Sequence, residues 1–260
     1  MNRYQKTFAQ CQAENRSAFV PFWMIGDPSP EASQSQIEAI AQSADILELG
    51  MPFSDPLADG PTIQASVNRA LEVGTNTQKC FEIIQNLRQK FPEKPIGLLV
   101  YLNLVIAYGI EEFFAQCEVN GVDSVLIPEL PIEEVSLISE AAKKHQIPLV
   151  FLVSTNTPPD RVQHICEASQ GGFIYAVSTP SITGAKTEIS PETFNMISAL
   201  KTQTEVPICV GFGISSPEQV KQLAVHQADG VIIGSKLFQF IDDPKGLSDF
   251  CRDCRQATKR

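Results

Sequence analysis

The sequence predicts an α/β fold, a single (β/α)8 TIM barrel with extra helices, forming one domain over residues 1–260. Three observations lead there. Short runs rich in Val, Ile and Leu recur eight times, at residues 19–25, 45–50, 96–101, 122–127, 148–153, 172–177, 207–211 and 230–234, as strands buried on both faces require. Stretches of helical spacing separate the runs. Such alternation implies right-handed crossovers and a parallel sheet, which eight strands can close. Finally, 260 residues with 43% hydrophobic content suit one large core, and no Pro-rich, Ser/Gly-rich or charge-run linker divides them.

Taken in order, the first run ends in Gly26-Asp27-Pro28-Ser29 and lacks the Gly-rich fingerprint of a dinucleotide-binding open sheet. Ser29-Pro30-Glu31 then offers a Ser N-cap, Pro at the first helical position and an early acid, and the same triplet type recurs at Ser190-Pro191-Glu192 and Ser216-Pro217-Glu218. Two helices, near 62–73 and 77–90, are predicted after the second run, one of them an extra. His145, His164 and His226 fall in helical stretches away from the strand tops. They supply no Ser–His–Asp or metal cluster, and no metal site is expected. The CxxC at Cys251 and Cys254 has no partner pair and reads as part of a terminal helix.

Composition narrows the function. A net charge of −10 disfavours nucleic acid and anionic membrane surfaces, which both need a basic face. The seven cysteines are scattered and odd in number, which suits reduced thiols better than a disulfide scaffold. The N-terminal stretch is polar and no apolar run spans a bilayer, so the expected location is the cytoplasm.

In a barrel of this kind the active site lies at the C-terminal ends of the strands. Glu48 stands between Leu47 and Leu49. A period of two sends the leucines one way and Glu48 the other, into the barrel mouth if the leucines face the helices. Burial would raise its pKa and suit it to general acid/base work; satisfying a buried backbone group or an Arg is the alternative. The loop after it, rich in Pro and ending in Asp59-Gly60, can carry Asp59 back over the mouth, although Asp59 alone also suits a plain turn. Gly213 and the pair Gly234-Ser235 close strands seven and eight, the usual place for a phosphate, where glycine lets backbone N–H groups approach an anion. Gly184 could add a wall. Phe22, Ile63, Leu99, Tyr101, Leu126, Tyr175 and Phe212 could enclose an aromatic substrate or simply fill the core, and Lys186 and Lys236 read as solvated.

The motifs LELGMPFSDPLADGPTIQ, GLLVYLN, VDSVLIP, Thr183-Gly184 and GFGIS resemble the tryptophan synthase alpha chain family, in order and over nearly the whole chain. The resemblance implies retro-aldol cleavage of indole-3-glycerol phosphate, a phosphate ester, to indole and glyceraldehyde 3-phosphate. Glu48 would be the acid/base and Asp59 the carboxylate that stabilises charge at the indole nitrogen. Gly184, Gly213, Gly234 and Ser235 would hold the phosphate, and Phe22, Leu99, Tyr101, Leu126, Tyr175 and Phe212 the indole. Thr183 would close over the site and bond Asp59. No cofactor is implied in this chain; pyridoxal phosphate is expected in a partner beta chain, within an alpha2-beta2 complex that channels indole. Residues 52–59 and 127–131 would share in that contact. Two departures stand out: Pro180-Ser181 where the family has Gly at the second position, and Glu129 where it has Asp. Other phosphate-binding barrels of the same pathway place a Lys or a Cys/Asp pair at strand ends, which this sequence does not offer. A non-catalytic subunit would be free to lose either carboxylate, and both are present.

Overall fold

The computed structural model describes residues 1–178 and 188–260. Its strands are β1 (Ala18–Met24), β2 (Leu47–Gly50), β3 (Ile96–Leu99), β4 (Ser124–Leu126), β5 (Leu149–Val153), β6 (Ile174–Val177), β7 (Ile208–Gly211) and β8 (Gly230–Ile233). All pair in parallel with their sequence neighbours, and β1 pairs with β8 to close the barrel. Each strand falls on a predicted apolar run.

Around them lie α1 (Arg3–Ala13), α2 (Pro30–Ala41), α3 (Pro61–Glu72), α4 (Thr77–Lys90), α5 (Leu102–Tyr108) and α6 (Ile110–Val119). The outer ring continues with α7 (Ser136–Lys144), α8 (Pro159–Ala168), α9 (Pro191–Lys201), α10 (Pro217–Val225) and α11 (Pro244–Ala257). Short 3-10 turns occupy Ile132–Glu134 and Leu237–Phe240. Ser29, Ser190 and Ser216 each cap the helix that starts at the following proline, accepting from Ala32, Thr193 and Gln219 N–H. The CxxC lies in α11 with both thiols buried. No helix among the described residues is long and apolar enough to cross a membrane.

The period-two alternation sorts the strand residues into two cores. Leu47 and Leu49 join the layer between sheet and helices, whereas Ile46, Val20, Leu126, Tyr175, Cys209 and Ile232 point inward. The inner layer is completed from below by α1, which inserts Tyr4, Phe8 and Cys11 into the N-terminal end of the barrel. A reciprocal capping box between Asn2 and Gln5 starts that helix. Tyr4 Oη lies 2.7 Å from Ser124 Oγ at the foot of β4, and the Tyr4 ring meets Phe173 edge-on.

One surface clamp carries a pH signature. His145, at the end of α7, lies between two carboxylates of α6, with Nδ1 2.7 Å from Glu118 and Nε2 2.9 Å from Glu111. Hydrogen bonds to Glu118 and Glu111 raise its pKa, and Lys144 pairs with the same Glu111. A group whose folded pKa exceeds its unfolded value stabilises the fold fully below the unfolded pKa, and that contribution is lost as pH rises through the folded one. His145→Gln is therefore expected to lower the melting temperature at about pH 6 and to lose most of that effect by about pH 9. Paired thermal melts across the range check it, and a gap that does not change with pH contradicts the clamp.

Candidate active site

The top of the barrel opens into a cavity of about 240 Å³ lined by Phe22, Glu48, Asp59, Ile63, Leu99, Tyr175, Phe212, Gly213, Ile232, Gly234 and Ser235, among others. Strands supply its floor and walls, and the loop from β2 to α3 supplies one side.

Glu48 sits at the bottom. It is 1% exposed, and its Oε2 has no hydrogen-bond partner among the described residues. With no cation beside it among the described residues, desolvation pushes its pKa up to about 8. The register explains how a carboxyl fits there. Glu48 pairs with Phe22 on one side and Gly97 on the other, and Gly97 pairs with Ser124. A Cβ on Gly97 would lie 2.5 Å from Glu48 Oε2 and 2.9 Å from Tyr4 Oη. Glycine at 97 thus makes the room that Glu48 and Tyr4 share. A glycine inside a strand signals such close approach, so this position was open to sequence reasoning that passed over it. Gly211 does the same for Tyr175, whose Oη would come within 2.3 Å of an added Cβ.

Asp59 reaches the same cavity from the loop. Tyr101 Oη donates to Asp59 Oδ2 at 2.9 Å and accepts from Ala58 N–H at 3.1 Å. Phe53 stacks on the Tyr101 ring at 5.2 Å. Burial raises the Asp59 pKa and the Tyr101 bond lowers it, with burial the larger effect. The two carboxyls therefore differ in setting: Glu48 is enclosed, with its Oε2 unpartnered among the described residues, and Asp59 is hydrogen-bonded and only partly buried.

The third wall is backbone. Phe212 and Gly213 have φ of 75° and 71°, a consecutive left-handed pair that leaves Phe212 half exposed at the rim. At Gly213 a side chain would meet nothing within 4 Å, so conformation, not crowding, calls for glycine. Ser178 Oγ donates to the Phe212 carbonyl and steadies this turn. Gly234 and Ser235 face the cavity from β8 but lead into the four-residue Leu237–Phe240 3-10 turn, not an α-helix. Any anion there relies on individual N–H groups more than on a helix dipole. Lys236 turns away, donating to Gln239 at 2.7 Å.

Of the residues expected to enclose an aromatic ring, Phe22, Leu99, Tyr175 and Phe212 line the cavity, and Ile63 joins them. Tyr101 orients Asp59 without lining it. Leu126 belongs to the packed interior with Tyr4 and Val20 and does not reach the wall. It ends β4 and pairs with Leu99, which does line the cavity, so the two leucines stand at the same level of the barrel. Pro180, Ser181, Thr183, Gly184 and Lys186 lie outside the described residues. Glu129 is engaged within the chain: its Oε1 accepts from Leu102 N–H at 2.5 Å, at the start of α5.

Comparison with known proteins decides the family. A family model described as tryptophan synthase alpha chain matches residues 8–258. The chain belongs to the tryptophan synthase alpha chain family. Curated relatives of that name include one from Photobacterium profundum, 43% identical over 100% of this chain and 99% of the relative. Another, from Shewanella baltica, is 45% identical over 98% and 97%. Tryptophan synthase subunit alpha from Legionella pneumophila str. Paris superposes with a TM-score of 0.90 at 33% identity, covering 99% of this chain and 98% of that one. With the family come the lyase class and a beta chain as partner.

The register yields a direct test. Gly97→Ala is expected to cost about 1–3 kcal/mol of stability through overpacking and to depress turnover by displacing the Glu48 carboxyl. Denaturant melts and a cleavage assay measure the two effects; full activity with unchanged stability would refute the shared-space reading.

Proposed function

We propose that this chain cleaves indole-3-glycerol phosphate to indole and glyceraldehyde 3-phosphate, with Glu48 and Asp59 as its catalytic residues. The observation that carries the residue assignment is the pairing, in one cavity, of an enclosed unpartnered carboxyl with a hydrogen-bonded one. Two carboxyls in unlike settings divide acid and ionised roles. Glu48, protonated near neutral pH, gives its proton to C3 of the indole ring. Asp59, ionised, stabilises the positive charge that develops at the ring nitrogen. Glu48, now a carboxylate, takes the proton of the glycerol hydroxyl next to the ring. The C–C bond then breaks, its electron pair returns to the ring to restore aromatic indole, and the hydroxyl carbon becomes the aldehyde of glyceraldehyde 3-phosphate. The sequence is redox-neutral and balanced in protons.

Phe22, Leu99, Tyr175 and Phe212 suit the flat apolar ring. N–H groups of Gly213, Gly234 and Ser235 suit the phosphate at the far end, with Gly184 and the closing Thr183 as further members of the set. The chemistry draws on side chains and substrate alone, so the chain works without a cofactor, and pyridoxal phosphate belongs to the beta chain. The assembly is an alpha2-beta2 complex in the cytoplasm. Its contact surface includes the loop after β2, where Leu57 is 88% exposed. Glu129, tied to α5, serves that surface by holding the loop's shape more than by reaching across it.

Release of glyceraldehyde 3-phosphate, with and without a beta chain, tests the assignment. Glu48→Gln should reduce kcat by roughly 10²–10⁴-fold, and Asp59→Asn by roughly 10²–10³-fold. Near wild-type turnover in either variant removes that residue from the mechanism. The pH profile supplies a second measurement. Because Glu48 must start protonated, kcat/KM should fall as pH rises through about 8; because Asp59 must be ionised, it should also fall toward acid. A basic limb that survives Glu48→Gln unchanged belongs to some other group.

A further inference from the structure

Asp27 follows β1 and is a fully buried carboxylate that the chemistry above does not use. It is held on all sides. Arg69 donates to it twice, Nε to Oδ1 and Nη2 to Oδ2, each at 2.7 Å, and Ser66 Oγ donates to the same Oδ2. Ser66 and Arg69 are three residues apart and so share one face of α3. This attachment carries unusual weight, because α3 buries only Ser66, Val67 and Ala70, two of them small. Nor does a side chain cap its N-terminus, which begins at Gly60.

The free end of this lightly packed helix is where the site is. Pro61, Thr62 and Ile63 line the cavity, and Asp59 stands two residues before the helix begins. Gln64 ties the two together, its Nε2 donating to the Asp59 carbonyl at 2.8 Å while its own N–H bonds the Gly60 carbonyl at 3.0 Å. The Asp59 backbone therefore moves with α3, and α3 stands where Asp27 holds it.

We propose that Asp27 is a positioning residue: through Ser66 and Arg69 it sets the pose of α3 and so delivers Asp59 to the cavity. The inference rests on the reading of Asp59 as the carboxylate that stabilises the indole nitrogen. An Asp59 displaced by about an ångström is expected to lose turnover by up to roughly 10²-fold.

The test is a double-mutant cycle on the full chain, with the beta chain present, reading kcat, KM and the acid limb of the pH profile. Asp27→Asn, Arg69→Met and Ser66→Ala should lower kcat in that order of severity, with Arg69→Lys recovering part of the Arg69→Met loss. Adding Asp27→Asn to Asp59→Asn should cost nothing further, since the first change acts only through the residue the second has removed. The acid limb should also move to lower pH, because a loosened Asp59 is better solvated and its raised pKa relaxes. Independent, multiplying losses with an unmoved acid limb would make Asp27 a purely structural residue and overturn the proposal. Should Asp27→Asn not fold, Ser66→Ala and Arg69→Lys carry the same cycle. An inert Asp59→Asn would instead sink the underlying assignment, so the two failures are distinct.

Discussion

A carboxyl held inside a closed barrel, with one oxygen meeting neither donor nor cation among the described residues, is costly to ionise, and most of the architecture around Glu48 answers to that constraint. Burying such a group needs a scaffold that excludes water on every side but one. The sheet closes without an edge, the helices cover its outer face, and α1 plugs the end below. The strand register then sets a glycine beside the acid so that it fits. The same desolvation that penalises its charge keeps a proton on the carboxyl near neutral pH, as the proposed acid role requires.

Asp59 solves the opposite problem. In the proposed reaction it has to be charged, although burial raises its pKa. Tyr101 works against that shift by donating to the carboxyl while accepting from the loop backbone, so one phenol both steadies the group and holds the loop that carries it. The turn at Phe212 and Gly213, the proposed phosphate end, presents backbone in left-handed conformation to the cavity. Three kinds of structure thus meet at one cavity: a strand interior, a tethered loop and a turn.

Much of this was legible in the sequence where a local rule decides it. Val, Ile and Leu runs marked each strand, Ser-Pro-Glu triplets marked three helix starts, and the alternation around Glu48 gave its direction. What escaped depends on long-range geometry. Tyr101 and Asp59 are 42 residues apart, and their meeting follows from the loop's path over the barrel. The plugging role of α1 was hidden by polar neighbours that dilute Tyr4, Phe8 and Cys11, although their spacing of four and three is helical. Alternation gave the inward direction of Leu126, but which of the paired Leu99 and Leu126 forms the cavity wall is set by packing across the barrel.

The plug has a consequence for traffic. With Tyr4 and Phe8 filling the lower end, the barrel is closed below among the described residues, and its cavity faces the rim between Asp59 and Phe212. Two products of unlike character, one flat and apolar and one a charged phosphate, are then both turned toward the rim and away from the foot of the barrel.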